Sequence, residues 1–200
     1  MSKNLMFAVL AIGCVCIRMS AAVEPGDQAP DFELFGVDYQ YHALEDYADS
    51  EAIVVVFTCN HCPVAKKYED KLIALGKEYQ KKGIQFLAVN PNPADKVAKD
   101  GFPQMIERAE EKDFPYPYLY DETQKVARAY DARVTPHIFV VQYADKDGDK
   151  VPTIVYQGAV DNRQKEPDYL ADALDAILAG EEIDKENTAQ FGCSVKYRRK

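Results

Sequence analysis

The sequence predicts an α/β domain, a mixed sheet with helices on both faces. Three observations carry this. Ala52–Phe57 is a continuous apolar, largely β-branched run, the pattern of a strand buried on both sides, and a helical pattern opens at Pro63. A second such run, Ile84–Val89, follows that helix. The chain then closes with Ile138–Gln142, a turn, Val151–Tyr156 and a last helix. Strands alternating with helices, followed by a hairpin and a helix, give this layer order.

The first 22 residues read as an export signal. Lys3 supplies a positive start, Leu5–Ile17 is apolar, and Ser20-Ala21-Ala22 offers small residues for cleavage before Val23. That run is too short for a comfortable membrane span. Arg18 directly behind it leaves a retained anchor open, and Ala11-Ile12-Gly13-Cys14 faintly resembles a lipoprotein processing site. The expectation is a periplasmic or secreted protein with one mature domain over 23–200 and no stable membrane insertion. A net charge of −9 argues against nucleic acid and against electrostatic binding to anionic membranes.

Residues 23–31 are turn-rich and expected on the surface. Phe32-Glu33-Leu34 alternates like a short strand, Gly36 and Asp38 mark a turn, and Tyr39–His42 returns as a second strand. Leu44–Tyr47 reads as one helical turn. In the first helix Val64, Tyr68, Leu72, Leu75 and Tyr79 recur at spacings of four and three, and Gly83 caps its end. Asn90–Pro93 breaks the second strand, and residues 94–102 carry no clear pattern. Pro103 opens a helix to about Lys112, with Met105, Ile106 and Ala109 inward. A short strand ends near Tyr120 and a short helix spans Gln124–Tyr130. Asp145 to Asp149 has calcium-like acidic spacing but lacks the remaining ligands, and a hairpin turn at Asp147-Gly148 fits better. Pro167 opens the last helix, its stripe Leu170, Ala173, Leu174, Ile177 and Leu178, and Gly180 stops it.

The chemistry concentrates at Cys59-Asn60-His61-Cys62-Pro63. This Cys-x-x-Cys lies in the turn from a buried strand into a helix N-terminus, where the helix dipole and free N–H groups stabilise a thiolate. The thiolate is the nucleophile of thiol–disulfide exchange. His61, when protonated, would further stabilise a thiolate on Cys59; otherwise it is a solvated loop residue. Half of a zinc site is the competing reading, but no second Cys-x-x-Cys or His-x-x-x-His follows. Signal cleavage would remove Cys14 and Cys16, leaving Cys59, Cys62 and an odd third, Cys193. That is not a disulfide-stapled scaffold.

The strand, Cys-x-x-Cys-Pro and helix, with Thr135-Pro136 ahead of a later strand, resemble a thioredoxin fold. Gly26-Asp27-Gln28-Ala29-Pro30-Asp31-Phe32-Glu33-Leu34 and the insertion between about 91 and 115 resemble the redoxin branch, with its AhpC/TSA and TlpA-like proteins. Tyr120–Tyr130, Gly158–Asn162 and Gly192–Lys196 are similar to a group of bacterial thioredoxin family proteins. The resemblance spans roughly residues 25–197. It implies that Cys59 attacks and Cys62 resolves, and that Pro136 is cis beside the site. The Thr135 backbone would then be exposed for strand addition by an extended substrate. Read alone, Pro136 is an ordinary strand-start proline. His137 either approaches the sulfurs or faces elsewhere.

Three departures stand out. Thr58 and Asn60-His61 replace the Trp and Gly-Pro of thioredoxin, and this chain has no Trp. Ile53 occupies the place of thioredoxin's buried proton-transfer Asp. If Cys62-Pro63 matches the peroxidatic Cys-Pro of peroxiredoxins, Cys59 replaces their Thr. The reading favoured is an exported thiol–disulfide oxidoreductase acting on protein thiols and disulfides with a redox partner protein, without cofactor or metal. A thiol peroxidase is the alternative. A Cu(I) carrier using Cys59, Cys62 and His61 or His137 is a third. Cys193 is a free thiol or a third redox thiol, and its distance from the pair decides which.

Overall fold

The structure, a computed structural model, describes residues 23–146, 148–163 and 167–199. The expected export signal therefore lies outside the described residues, as does Asp147. Among the described residues nine strands and four α-helices follow in chain order. They are β1 (Glu33–Gly36), β2 (Tyr41–Ala43), β3 (Ala52–Phe57), α1 (Pro63–Tyr79), β4 (Ile84–Asn90), α2 (Phe102–Lys112) and β5 (Tyr118–Tyr120). After these come α3 (Lys125–Ala129), β6 (Val134–Thr135), β7 (His137–Lys146), β8 (Asp149–Gly158), α4 (Tyr169–Ala179) and β9 (Cys193–Ser194).

Seven strands form one mixed sheet in the order β2-β1-β5-β4-β3-β7-β8. At its centre β3 runs parallel to β4 and antiparallel to β7, so both its edges are hydrogen-bonded. All six β3 residues are buried, because helices cover both faces. Val54 and Val56 join Tyr68, Leu72 and Tyr79 of α1 with Leu170 and Leu174 of α4 on one face. Ile53, Val55 and Phe57 meet Leu44, Val126, Ala127 and Tyr130 on the other. The period-two split of one strand thus builds two cores.

The helix boundaries follow local chemistry. Cys62 is the N-cap of α1 and Pro63 its first residue, where a missing N–H costs nothing. Past a closing 3₁₀ turn, Gly83 takes the left-handed conformation at φ 87°. The last helix starts two residues after Pro167, because Asp168 accepts the Ala171 N–H at 3.4 Å and serves as N-cap. Of the stripe expected in α2, Met105 is fully buried and Ala109 packs at the core margin, while Ile106 is only half-buried. Asp145 Oδ1 accepts the Gly148 N–H at 3.0 Å, so the acidic segment serves a hairpin turn. Residues 23–31 lie along β8, with Ala29 N–H donating to Pro152 at 2.8 Å. Two short strands, β6 and β9, form a separate antiparallel pair with Thr135 opposite Cys193.

Candidate active site

The site forms where β3 ends. Thr58 N–H still donates to Val89 at 2.9 Å, and the chain then turns through Cys59 to Cys62 into α1. The Cys62 Sγ accepts the Ala65 N–H at 3.3 Å, one of the free amides of the first helical turn. Across the turn stands Thr135, whose bond to Pro136 is cis. Its hydroxyl lies 3.2 Å from Cys59 Sγ, and its carbonyl lies 3.2 Å from Cys62 Sγ and accepts the S–H of the protonated form.

A residue that sequence reasoning missed organises the other side. Asp100 is fully buried in the 3₁₀ turn Ala98–Asp100, inside the stretch that carried no clear pattern. Its Oδ1 accepts the backbone N–H of Asn60 at 2.9 Å and of His61 at 3.0 Å. Its Oδ2 accepts from Asn92 at 2.9 Å and stands 2.6 Å from His61 Nδ1. The same Nδ1 is 3.4 Å from Cys59 Sγ. Asn60 completes the clamp, its side chain donating to Lys99 at 3.0 Å and accepting the Tyr118 hydroxyl at 2.9 Å. The two residues between the cysteines therefore hold the redox turn against the insertion. Where Ile53 leaves no acid beneath the site, Asp100 supplies one from beside it.

The two thiols are driven apart electrically. Cys62 is pushed down to about 4, first by the hydrogen bond from Cys59 and further by Cys193, the Ala65 amide and the Thr135 hydroxyl. Cys59 is pushed up, first by that same hydrogen bond, then by burial and by the Asp100 carboxylate. One proton is thus shared between two sulfurs. Sequence reasoning placed the thiolate on Cys59; in the structure the donors converge on Cys62, and both sulfurs are buried.

The remaining candidates fall as follows. Thr135 is not an open docking edge: it is 1% exposed and β9 pairs with it, because the chain's own residues Cys193–Ser194 fill that edge. Cys193 packs on the Cys59–Cys62 cluster and is half-exposed. His137 does not join the site. It packs at a tilt against Phe139, ring centroids 4.5 Å apart, on the opposite core face, and burial pushes it down to about 4. Cys59, His61 and Asp100 bring a sulfur, a ring nitrogen and a carboxylate oxygen within 4.8 Å of one another, a set that could hold a metal. The Asp100 oxygens already accept three N–H groups and face His61 Nδ1, so a cation would have to break that network.

Residues 25–147 match the AhpC/TSA family. The chain belongs to that family. It is 30% identical over 138 residues to the thiol-disulfide oxidoreductase ResA of Geobacillus thermodenitrificans, a match covering 67% of this chain and 70% of that protein. An uncharacterized conserved protein from Geobacillus kaustophilus superposes with a TM-score of 0.80 at 37% identity, over 88% of this chain and 93% of that one. A putative thiol:disulfide interchange protein DsbE from Chlorobium tepidum shares the fold, with a TM-score of 0.63 at 21% identity over 78% of this chain and 99% of the other. The fold is therefore thioredoxin-like, in the redoxin branch. Among the described residues no helix is long and apolar enough to cross a membrane.

Proposed function

We propose that this protein is an exported thiol–disulfide oxidoreductase that exchanges disulfides with protein partners through Cys59 and Cys62. The observation that carries this reading is two buried thiols clustered at a helix N-terminus, with the Thr135 hydroxyl 3.2 Å from the Cys59 sulfur, the Thr135 carbonyl 3.2 Å from the Cys62 sulfur and a cis Thr135–Pro136 bond beside them. A partner disulfide meeting Cys59 draws the shared proton toward Cys62, leaving the negative charge on the attacking sulfur. Cys59 then forms the mixed disulfide, and the first partner sulfur leaves as a thiol with the proton that Cys62 held. The Cys62 thiolate attacks Cys59 and releases the second partner sulfur as a thiolate, which takes its proton from water, and the Cys59–Cys62 disulfide remains. The low Cys62 stabilises the reduced pair, which makes the oxidised pair the stronger oxidant. Export rests on the leader read in residues 1–22.

Insulin reduction with dithiothreitol tests the exchange. Cys59→Ser should lower the rate about 10³-fold or more, since residues acting as one unit fail together. A variant that keeps near-native activity overturns the reading.

One observation favours a thiol peroxidase as second reading: Cys62, directly before Pro63, is the thiol pushed down to about 4. A Cys62 thiolate would take one peroxide oxygen as sulfenic acid, and Cys59 would condense with it, releasing water. Reaction of the reduced protein with stoichiometric peroxide at the rate of ordinary cysteine eliminates it.

A further inference from the structure

The segment after Phe191 is built to bring one sulfur to the redox pair. Phe191 packs edge-on against Tyr68 of α1 at 5.8 Å, and the Arg163 guanidinium lies over its ring at 4.2 Å. Gly192 then passes so close to Thr135 that a Cβ there would sit 2.1 Å from the Thr135 carbonyl oxygen. Backbone cannot yield by that much, so only glycine allows this approach. Cys193 follows, opposite Thr135 in antiparallel register. Val195 N–H donates to Arg133 at 3.0 Å, and Lys196 N–H donates to Asn92 at 2.8 Å. Anchors on both sides hold Cys193 packed against the cluster of Cys59, Cys62 and Ala65. An extended substrate would lie along this same edge, so the tail stands as an internal substrate with its cysteine in place.

We propose that Cys193 is a third redox thiol that takes over the disulfide of the pair. This rests on the exchange function proposed above. Once Cys59–Cys62 is oxidised, the Cys193 thiolate attacks Cys62 Sγ. The Cys62–Cys193 bond forms, the Cys59–Cys62 bond breaks, and Cys59 leaves as a thiolate that takes up the proton Cys193 released. One disulfide replaces another, and no outside oxidant or reductant is consumed. Cys59 is again free, while the oxidising equivalent sits on the half-exposed sulfur of the three.

The electrostatics run the same way. In the reduced protein burial raises the Cys193 pKa most, followed by its hydrogen bond to Cys62 and the charge on Cys62. Oxidation of the pair abolishes the last two, while Lys196 goes on lowering it. Oxidation of the pair thus removes two of the three causes that hold Cys193 protonated, and burial remains.

Disulfide mapping decides the matter. The reduced full chain is treated with one equivalent of diamide, quenched in acid after seconds to minutes, alkylated, digested and read by mass spectrometry. The expected result is an early Cys59–Cys62 peptide joined by a Cys62–Cys193 peptide that reaches at least a tenth of the total. In Gly192→Ala the Cys62–Cys193 peptide should fall at least tenfold while Cys59–Cys62 persists. Wild-type protein that equilibrates with Cys59–Cys62 alone overturns the relay and leaves the exchange reading standing. Formation of neither disulfide overturns both. The wild-type arm decides the question even if Gly192→Ala fails to fold.

Discussion

Asp100 holds the redox turn at the scale of single residues. Its buried carboxylate accepts the Asn60 and His61 amides and faces His61 Nδ1, and it is one of the groups that raise Cys59. Asp100→Asn keeps an oxygen for the two amides but turns an NH₂ toward Asn92 or His61. Leaving a buried donor unmatched costs about 1–3 kcal/mol. Removing the negative charge also withdraws one cause of the high Cys59 pKa, so that pKa should fall. A denaturant melt and a pH profile of Cys59 alkylation read both. A Cys59 pKa that rises or stays fixed contradicts the assignment. Cys62 rests on several donors instead of one, so no single neutral substitution around it should return it to an ordinary thiol.

Between elements, the Arg108–Glu69 ion pair locks α2 onto α1, with Arg108 Nε at 3.0 Å from Glu69 Oε1. Glu69 is only 5% exposed. Arg108→Ala leaves that carboxylate buried and unpaired, which costs roughly 3–5 kcal/mol. Because α2 begins directly after the Asp100 turn, the variant should also loosen the redox turn. A urea titration and the thiol alkylation rate check this, and a variant of native stability contradicts it. The strand–turn–helix frame was legible in the sequence because β3, α1 and β4 each write their burial into a local period. Pro136 was legible only through resemblance, since proline before a strand has two readings. Asp100 was not legible: it sits in a single 3₁₀ turn, too short for periodicity, and its partners lie 39 and 40 residues away. The two-residue strand β9 left no pattern either, and so the Thr135 edge read as open.

At the scale of the whole molecule, the shared proton makes the stability of the reduced protein depend on pH. In the unfolded chain both thiols hold their protons until near 9; in the native state Cys62 releases its proton near 4. From about pH 4 to 9 the unfolded state binds more protons, so stability rises with pH. The slope is at most about 1.4 kcal/mol per pH unit before solvent screening reduces it. Above 9 the sign reverses, because native Cys59 retains a proton that the unfolded chain loses. Urea titrations at pH 5, 7 and 9 should show the rise, and Cys62→Ala should flatten it; an unchanged slope in that variant contradicts the assignment. The contact from Cys59 to Thr135 spans 76 positions, and that from Asn60 to Asp100 spans 40. Closing such loops is slow compared with pairing β3, α1 and β4, which are neighbours in sequence. The site is therefore completed in two stages: the local turn brings Cys59 and the Ala65 amide to Cys62 early, and the Thr135 and Asp100 contacts are added only as the whole fold closes.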